Sequence, residues 1–157
     1  YAYTGTAKKP TVTVSTKNGT KLTNYDYTVS YSSGRKYVGT YSVTVKGKGI
    51  CTGAIKKSFV INPKAPAITS LSKGKKSFTV KWRRNLSQCN GYIIQYSKYK
   101  NFKSPKSVMV RSYTTSSRTV KSLKARQKYY VRVRAYKTVN GKTYYSNWSS
   151  SKYTTTK

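Results

Sequence analysis

The chain has 157 residues, enough for one or two domains, and it carries 33 lysines and arginines against one acidic residue, Asp26, with no histidine. Without histidine the serine–histidine and cysteine–histidine catalytic pairs cannot be built, and a single carboxylate cannot form an acid–base pair. Asp26 and two cysteines are too few ligands for a metal site, so we expect no enzyme, no metal and no cofactor. The formal net charge of +32 instead favours anionic partners.

Short runs of alternating apolar and polar residues recur along the chain, separated by turn signals such as Asn18-Gly19 and Asn140-Gly141. No stretch has helical periodicity, and the seventeen tyrosines with regular Val, Ile and Phe supply apolar surface for a core despite the charge. The pattern predicts an all-β protein with strands over Thr11–Ser15, Tyr27–Tyr31, Thr40–Lys46, Ala54–Ile61, Ser77–Arg83, Gly91–Ser97, Ser107–Arg111, Arg118–Lys121, Tyr129–Tyr136 and Lys142–Tyr145.

A domain boundary is predicted at Asn62-Pro63-Lys64-Ala65-Pro66, because two prolines in four residues cannot continue a β-ladder and favour a stiff linker. We therefore expect two tandem β-sandwiches, residues 1–62 and 67–157, joined by a short linker at 63–66 as an elongated pair. The charge is uneven: residues 1–62 carry a net +9 and residues 63–157 a net +23.

The second half contains, in order, the landmarks of one β-sandwich family. They are Phe78, Val80 and Trp82 on one strand face, then Tyr92, Ile94 and Tyr96, then Leu123 six residues before Tyr129, and then Val131, Val133 and Ala135. This half therefore resembles a fibronectin type III domain, in which the Leu–Tyr spacing marks the tyrosine corner. The resemblance implies a fold and leaves the function open, because this scaffold serves many partners.

The first half contains Tyr3-Thr4-Gly5, Pro10 with Thr11–Val14, Asp26–Val29, and Gly39–Lys46 followed by Ala54–Pro63. These features resemble the small bacterial Ig-like modules found in tandem on surface proteins of Gram-positive bacteria. The resemblance implies a secreted, cell-surface or cell-wall location, as a monomeric piece of a longer chain. No apolar run is long enough to span a membrane.

The stretch from Leu123 to Ser149 is predicted to form one β-hairpin that turns at Asn140-Gly141, since both residues tolerate positive φ. Its period of two turns one set of side chains inward and the other outward. The inward set is Tyr129, Val131, Val133 and Ala135, and the outward set is Tyr130, Arg132, Arg134 and Tyr136.

Trp148, within Ser146-Asn147-Trp148-Ser149, resembles one half of the tryptophan–arginine ladder of cytokine-receptor fibronectin domains. Arg132 and Arg134 are placed to stack on its ring. Such a ladder could serve only to stiffen the sheet, or it could form a cationic, aromatic platform for a ligand. The sequence favours the structural role.

Cys51 and Cys89 are expected to be unpaired, because two domains arranged end to end would hold the two thiols far beyond the reach of a disulfide. Only a folded-back arrangement would permit a bridge.

The sequence thus predicts a non-catalytic attachment module that binds anionic polymers such as teichoic acid, acidic polysaccharide, glycosaminoglycan or nucleic acid. The alternative is a spacer that holds another domain away from the cell, with its charge serving retention on the wall. The contact could be localised or a diffuse field, and only the hairpin row concentrates the charge in the sequence. The candidate polyanion-binding residues are Arg83, Arg84, Lys124, Arg126, Lys128, Tyr130, Arg132, Arg134, Tyr136 and Trp148.

Overall fold

The computed structural model describes all of residues 1–157 and contains eleven strands and no helix, which confirms the all-β class. The chain forms two compact units, one made of Tyr1 and Tyr3–Ile61 and the other of Ala2 and Asn62–Lys157. The strands are β1 Tyr27–Tyr31, β2 Gly39–Gly47, β3 Ala54–Ile61, β4 Ile68–Gly74, β5 Ser77–Trp82, β6 Gly91–Ser97, β7 Lys106–Val110, β8 Ser117–Val120, β9 Lys128–Val139, β10 Lys142–Tyr145 and β11 Lys152–Thr155.

The first unit is built on one antiparallel sheet with the strand order β1-β2-β3. Its buried apolar side chains are few, namely Val38, Val43 and Ile61. The segment before β1 forms no strand, and the predicted strand Thr11–Ser15 is wrong. Its side chains do alternate between half-buried and exposed. Residues 11–21 turn back on themselves, however, and the β-bridge within them joins only Ser15 to Lys21, so no partner strand forms a ladder.

The second unit is a sandwich of two antiparallel sheets. One has the order β4-β5-β8, and the other has the order β10-β9-β6-β7, with β11 also paired to β9. One apolar cluster joins the inner faces of both sheets. Phe78, Val80 and Trp82 enter it from β5, and Tyr92 and Ile94 enter it from β6. The inward faces predicted from the period of two are therefore confirmed.

The tyrosine corner is also present. Tyr129 is buried, and its hydroxyl accepts a hydrogen bond from the Lys124 backbone N–H at 3.3 Å. This contact closes the loop that leads into β9, and Leu123 is buried in the core beside it. The spacing of six residues thus places the ring and its backbone partner as the resemblance implied.

The sequence did not predict β4 and β11. Both strands carry few apolar side chains, because each has an exposed face. Their sequences are Ile-Thr-Ser-Leu-Ser-Lys-Gly and Lys-Tyr-Thr-Thr. They are recruited by their neighbours, β4 by β5 and β11 by β9. In the predicted linker, the side chains of Pro63 and Pro66 are buried.

Candidate functional site

In the second unit, β9 and β10 form a hairpin, with Val139 opposite Lys142. Asn140 and Gly141 have φ values of 47° and 76°, as a two-residue hairpin turn requires. Burial alternates along β9, with Val131 and Val133 buried and Arg132 and Arg134 half-buried on the outer face. The predicted hairpin and its two faces are therefore confirmed.

The two arginines take part in a five-layer stack on this outer face. The guanidinium carbon of Arg132 lies 3.9 Å from the ring centroid of Phe102 and 4.6 Å from that of Trp148. The guanidinium carbon of Arg134 lies 4.5 Å from the Trp148 ring and 4.1 Å from the Tyr145 ring. We call this arrangement the arginine stack; its order is Phe102, Arg132, Trp148, Arg134, Tyr145.

Ser146 and Ser149, which lie on opposite sides of Trp148 in the sequence, hold it between the two arginines through hydrogen bonds to β9. The Ser146 hydroxyl accepts from the Ala135 N–H at 2.9 Å, and the Ser149 hydroxyl accepts from the Val133 N–H at 3.0 Å. The backbone N–H groups of the same serines donate to the carbonyls of Ala135 and Val133. The segment after β10 therefore stays hydrogen-bonded to β9 although it is not a regular strand.

The arginine stack leaves little of either guanidinium for a ligand, because aromatic rings cover both faces of each. The Nε and Nη2 groups of Arg132 both donate to the Oε1 atom of Gln95. Burial, and then the neighbouring charge of Arg134, lower the pKa of Arg132. The structure therefore favours the stiffening role of Arg132, Arg134 and Trp148 over a role as a free platform.

The two outward tyrosines of β9 have different surroundings. Tyr130 packs on Tyr153 of β11, with ring centroids 5.8 Å apart, and the Lys128 ammonium lies 4.7 Å from the Tyr153 ring centroid. Tyr136 instead covers Gly91, where a Cβ atom would come within 2.9 Å of its ring. Tyr130 and Lys128 thus form an accessible cluster with Tyr153, which sequence reasoning missed along with β11.

The remaining candidate residues lie at opposite ends of the sandwich. Arg83 and Arg84 follow β5 near the end where Gly91 pairs with Tyr136, and the Arg84 Nη1 group donates to the Thr114 carbonyl. Lys124 and Arg126 precede the other end of β9. Because Lys128 and Tyr136 are eight residues apart on this strand, the two groups are separated by about 26 Å. The structure does not bring them into one site.

A cluster that the sequence did not predict forms around Lys124 and Arg126. The Lys76 N–H donates to the carbonyl of Lys157, and the Lys76 carbonyl accepts from Leu123. The Arg126 N–H donates to Thr156. The β4–β5 turn, the β8–β9 loop and the last residues are therefore held together, at a place other than the hairpin row. We call this cluster the basic end; its exposed residues are Lys75, Lys76, Lys124, Arg126, Lys128 and Lys157.

The remaining reactive side chains have ordinary structural surroundings. The Asp26 carboxylate accepts from the N–H and hydroxyl of Thr23 at 2.7 and 2.9 Å, and these bonds lower its pKa. Cys51 and Cys89 are free thiols. Burial raises the pKa of the Cys89 thiol, which donates to the Gly91 carbonyl, so this thiol is poorly nucleophilic. No cluster of three or more potential metal ligands is present.

No helix in the structure has the length and apolar character needed to cross a bilayer.

Comparisons with known proteins agree with the architecture. No curated protein matches this chain at a significant level. Among solved structures, the chicken CNTN1 FN1–FN3 domains match at 20% identity with a TM-score of 0.53, over 76% of this chain and 43% of that chain. A structure described as "Myokine structure" matches at 21% identity with a TM-score of 0.48, over 59% of this chain and 95% of that chain. At this identity, the likeness to the chicken CNTN1 FN1–FN3 domains shows the fold alone.

Family models match both parts of the chain. One for the fibronectin type III domain matches residues 62–152, which include all strands from β4 to β10. One for the MBG domain matches residues 1–81, which include the whole first unit and continue through β4 into β5. Because each match covers more than half of the sequence, the chain belongs to the fibronectin type III domain family and, through its N-terminal part, to the MBG domain family.

Proposed function

We propose that this chain is a non-catalytic attachment module of an extracellular or cell-surface protein and that its basic end binds anionic polymers. Domains of both families typically occur in extracellular or surface proteins, and fibronectin type III domains are generally non-catalytic modules. The observation that carries the proposal is the basic end itself, where three hydrogen-bonded segments present Lys75, Lys76, Lys124, Arg126, Lys128 and Lys157. No acidic side chain occurs in this unit, because the only one in the chain is Asp26.

Binding would be driven by the release of counterions from the polymer as lysines and arginines replace them. Tyr130 and Tyr153 lie beside Lys128 and add aromatic surface at the margin of the basic end. Teichoic acid, acidic polysaccharide, glycosaminoglycan and nucleic acid all carry the negative charge that this mechanism needs. Arg83 and Arg84, at the opposite end, would contribute only to the general field.

The test compares two triple variants of the full chain that remove equal charge. The variant Lys124→Gln, Arg126→Gln, Lys128→Gln weakens the basic end, while the matched control Lys56→Gln, Lys81→Gln, Arg83→Gln changes exposed residues elsewhere. We expect the first variant to lose about tenfold or more in polymer affinity, measured by fluorescence anisotropy at about 0.15 M salt, and the control much less. Equal losses would mean that the charge acts as a diffuse field.

A spacer is the second candidate, and the arginine stack favours it. Its aromatic–cation contacts stiffen the sheet without leaving a free ligand platform. A spacer would release every polymer class at physiological salt, whereas an attachment module retains at least one. Binding isotherms for a wall polymer, an acidic polysaccharide and DNA at one salt concentration separate the two roles.

A further inference from the structure

A cavity of about 510 Å³ opens between the β6–β7 loop and the β8–β9 loop of the second unit, on the side of the basic end. Three exposed lysines, Lys98, Lys106 and Lys124, stand around it, and no acidic residue does. Its size falls within the range typical of pockets for small ligands. Lys124 is shared with the basic end, whereas Lys98 and Lys106 do not belong to it, so the cavity adjoins the basic end and can be tested through these two lysines.

The floor of the cavity is aromatic and rigid. Tyr96 and Tyr129 meet edge to face there, with ring centroids 6.0 Å apart, and Tyr129 belongs to the sandwich core. Burial raises the pKa of Tyr96, and a tyrosine hydroxyl is protonated at neutral pH even without such a shift, so it can donate a hydrogen bond. At the rim, Tyr99 is 55% exposed and offers a ring with little other packing.

The walls of the cavity are held in place before any ligand arrives. The Ser97 hydroxyl donates to the Lys103 carbonyl at 2.7 Å and accepts from the Tyr99 N–H at 3.1 Å, which closes the β6–β7 loop. Ser104 on one wall and Ser122 on the other have φ values of 47° and 59°. Non-glycine residues seldom adopt this backbone conformation, so the chain bends sharply at both walls.

These surroundings define the ligand. Three lysines select an anionic group, and serine and tyrosine hydroxyls suit the hydroxyl groups of a sugar. The exposed ring of Tyr99 suits the apolar face of a pyranose. The lining contains no Asn or Gln, the amide side chains that pair bidentately with the edge of adenine. We propose that the cavity binds one acidic sugar unit of an anionic polysaccharide; this rests on the proposed function and names a polymer class for it.

The first experiment uses NMR of the full chain titrated with sodium glucuronate, with glucose as the uncharged control. We expect saturable amide shifts confined to Ser104, Ser122 and their neighbours with glucuronate, and none of comparable size with glucose. Shifts spread over the basic surface, equal shifts with glucose, or no shifts at millimolar ligand would overturn the proposal. This readout does not depend on binding of any polymer by the basic end.

The second experiment measures the affinity of variants for an alginate oligosaccharide and for a single-stranded oligo-dT of equal charge. Lys98→Gln with Lys106→Gln is compared with the control Lys57→Gln with Lys81→Gln, which removes the same charge from exposed strand positions. We expect the cavity pair to weaken alginate binding about tenfold more than the control pair does, with oligo-dT equally affected by both pairs. Equal effects on alginate would contradict the cavity while leaving the proposed function intact.

A third comparison uses two substitutions that leave the charge of the chain unchanged. Tyr99→Ala removes the exposed ring at the rim, and Tyr113→Ala removes a ring that is 45% exposed and lies outside the cavity. We expect Tyr99→Ala alone to weaken alginate binding, by about fivefold or more, because it removes stacking without changing charge. Equal affinities of the two variants would count against an aromatic sugar site. If the chain binds no polymer but glucuronate still shifts the amide signals around the cavity, the proposed function is wrong and the cavity remains a site for an acidic sugar.

Discussion

Trp82 is the largest fully buried side chain of the second unit. It is 2% exposed and packs on Tyr92 with ring centroids 5.2 Å apart, inside the cluster that also contains Ile94 and Val133. Removing a ring from such a site loses transfer free energy and leaves a cavity, so Trp82→Ala should lower the free energy of unfolding by about 3–5 kcal/mol. Denaturant unfolding followed by circular dichroism measures this loss. The exposed substitution Tyr113→Ala is the control, and comparable midpoints for the two variants would contradict the packing.

Tyr92 makes stability depend on pH in the alkaline range. Its hydroxyl accepts from the Asn85 N–H at 2.7 Å and donates to the Tyr113 carbonyl at 3.1 Å, and burial raises its pKa from 10.0 to about 12. The unfolded chain loses this proton near pH 10 while the folded chain keeps it. The free energy of unfolding should therefore be unaffected by this group below about pH 10 and fall by about 2–3 kcal/mol as pH rises through 12.

The check is a series of denaturant titrations between pH 8 and pH 12 on the parent chain and on Tyr92→Phe. The variant loses two hydrogen bonds and starts from a lower stability, so the relevant quantity is the slope against pH. We expect the slope above about pH 10 to be shallower for Tyr92→Phe than for the parent. If the free energies of unfolding of the two proteins run parallel against pH, the loss of stability above about pH 10 comes from the other tyrosines and from lysine.

The segment between β10 and β11 depends on Trp148 for its position. This ring contacts Arg132 and Arg134, and each cation–π contact is worth about 0.5–1 kcal/mol. Trp148→Ala should therefore lower the free energy of unfolding by about 1–2 kcal/mol. It should change polymer affinity less than twofold, because the stack faces are already occupied. A large loss of affinity with unchanged thermal stability would reverse this assignment and restore the ligand-platform role.

Most strands could be predicted from alternation and turn residues, and the bounds of β1, β3, β6 and β10 agree with the prediction. The failures have a common cause. β4 and β11 are polar strands that form because a neighbour supplies hydrogen-bonding partners, and a single sequence does not reveal that neighbour. The arginine stack could be predicted in part, since Trp148 and both arginines are visible in the sequence. Phe102 reaches them from a loop, however, and only the fold shows it.

The basic end illustrates the same limit for the site. Its residues come from the β4–β5 turn, the β8–β9 loop and the last residues, which are far apart in sequence and joined by backbone hydrogen bonds. Without β4 and β11, sequence reasoning could not place the first and last of these segments together. Composition predicted that an anionic partner would be attracted, whereas the location of the charge depends on long-range pairing.

At the scale of the whole molecule, the net charge is +32 and the chain has one acidic residue. Added salt should therefore have two opposing effects, one on the stability of the fold and one on polymer binding. Self-repulsion destabilises the folded chain, and its range shrinks from about 10 Å at 0.1 M salt to about 3 Å at 1 M. The melting temperature of the free protein should therefore rise with sodium chloride. Polymer binding should weaken over the same range. For duplex DNA held by about six charges, log K against log salt should have a slope of about −5.

The two effects can be separated in one thermal-shift experiment. At low salt, added polymer should raise the melting temperature by mass action, and this increment should vanish as salt rises while the free protein itself becomes more stable. In the variant Lys124→Gln, Arg126→Gln, Lys128→Gln the log–log slope should be shallower by about 2–3, since three phosphate contacts are lost. The control triple should keep the parental slope. A melting temperature that does not rise with salt in the absence of polymer would show that the charges are too dispersed to repel, and a parental slope in the basic-end variant would place the contact elsewhere on the chain.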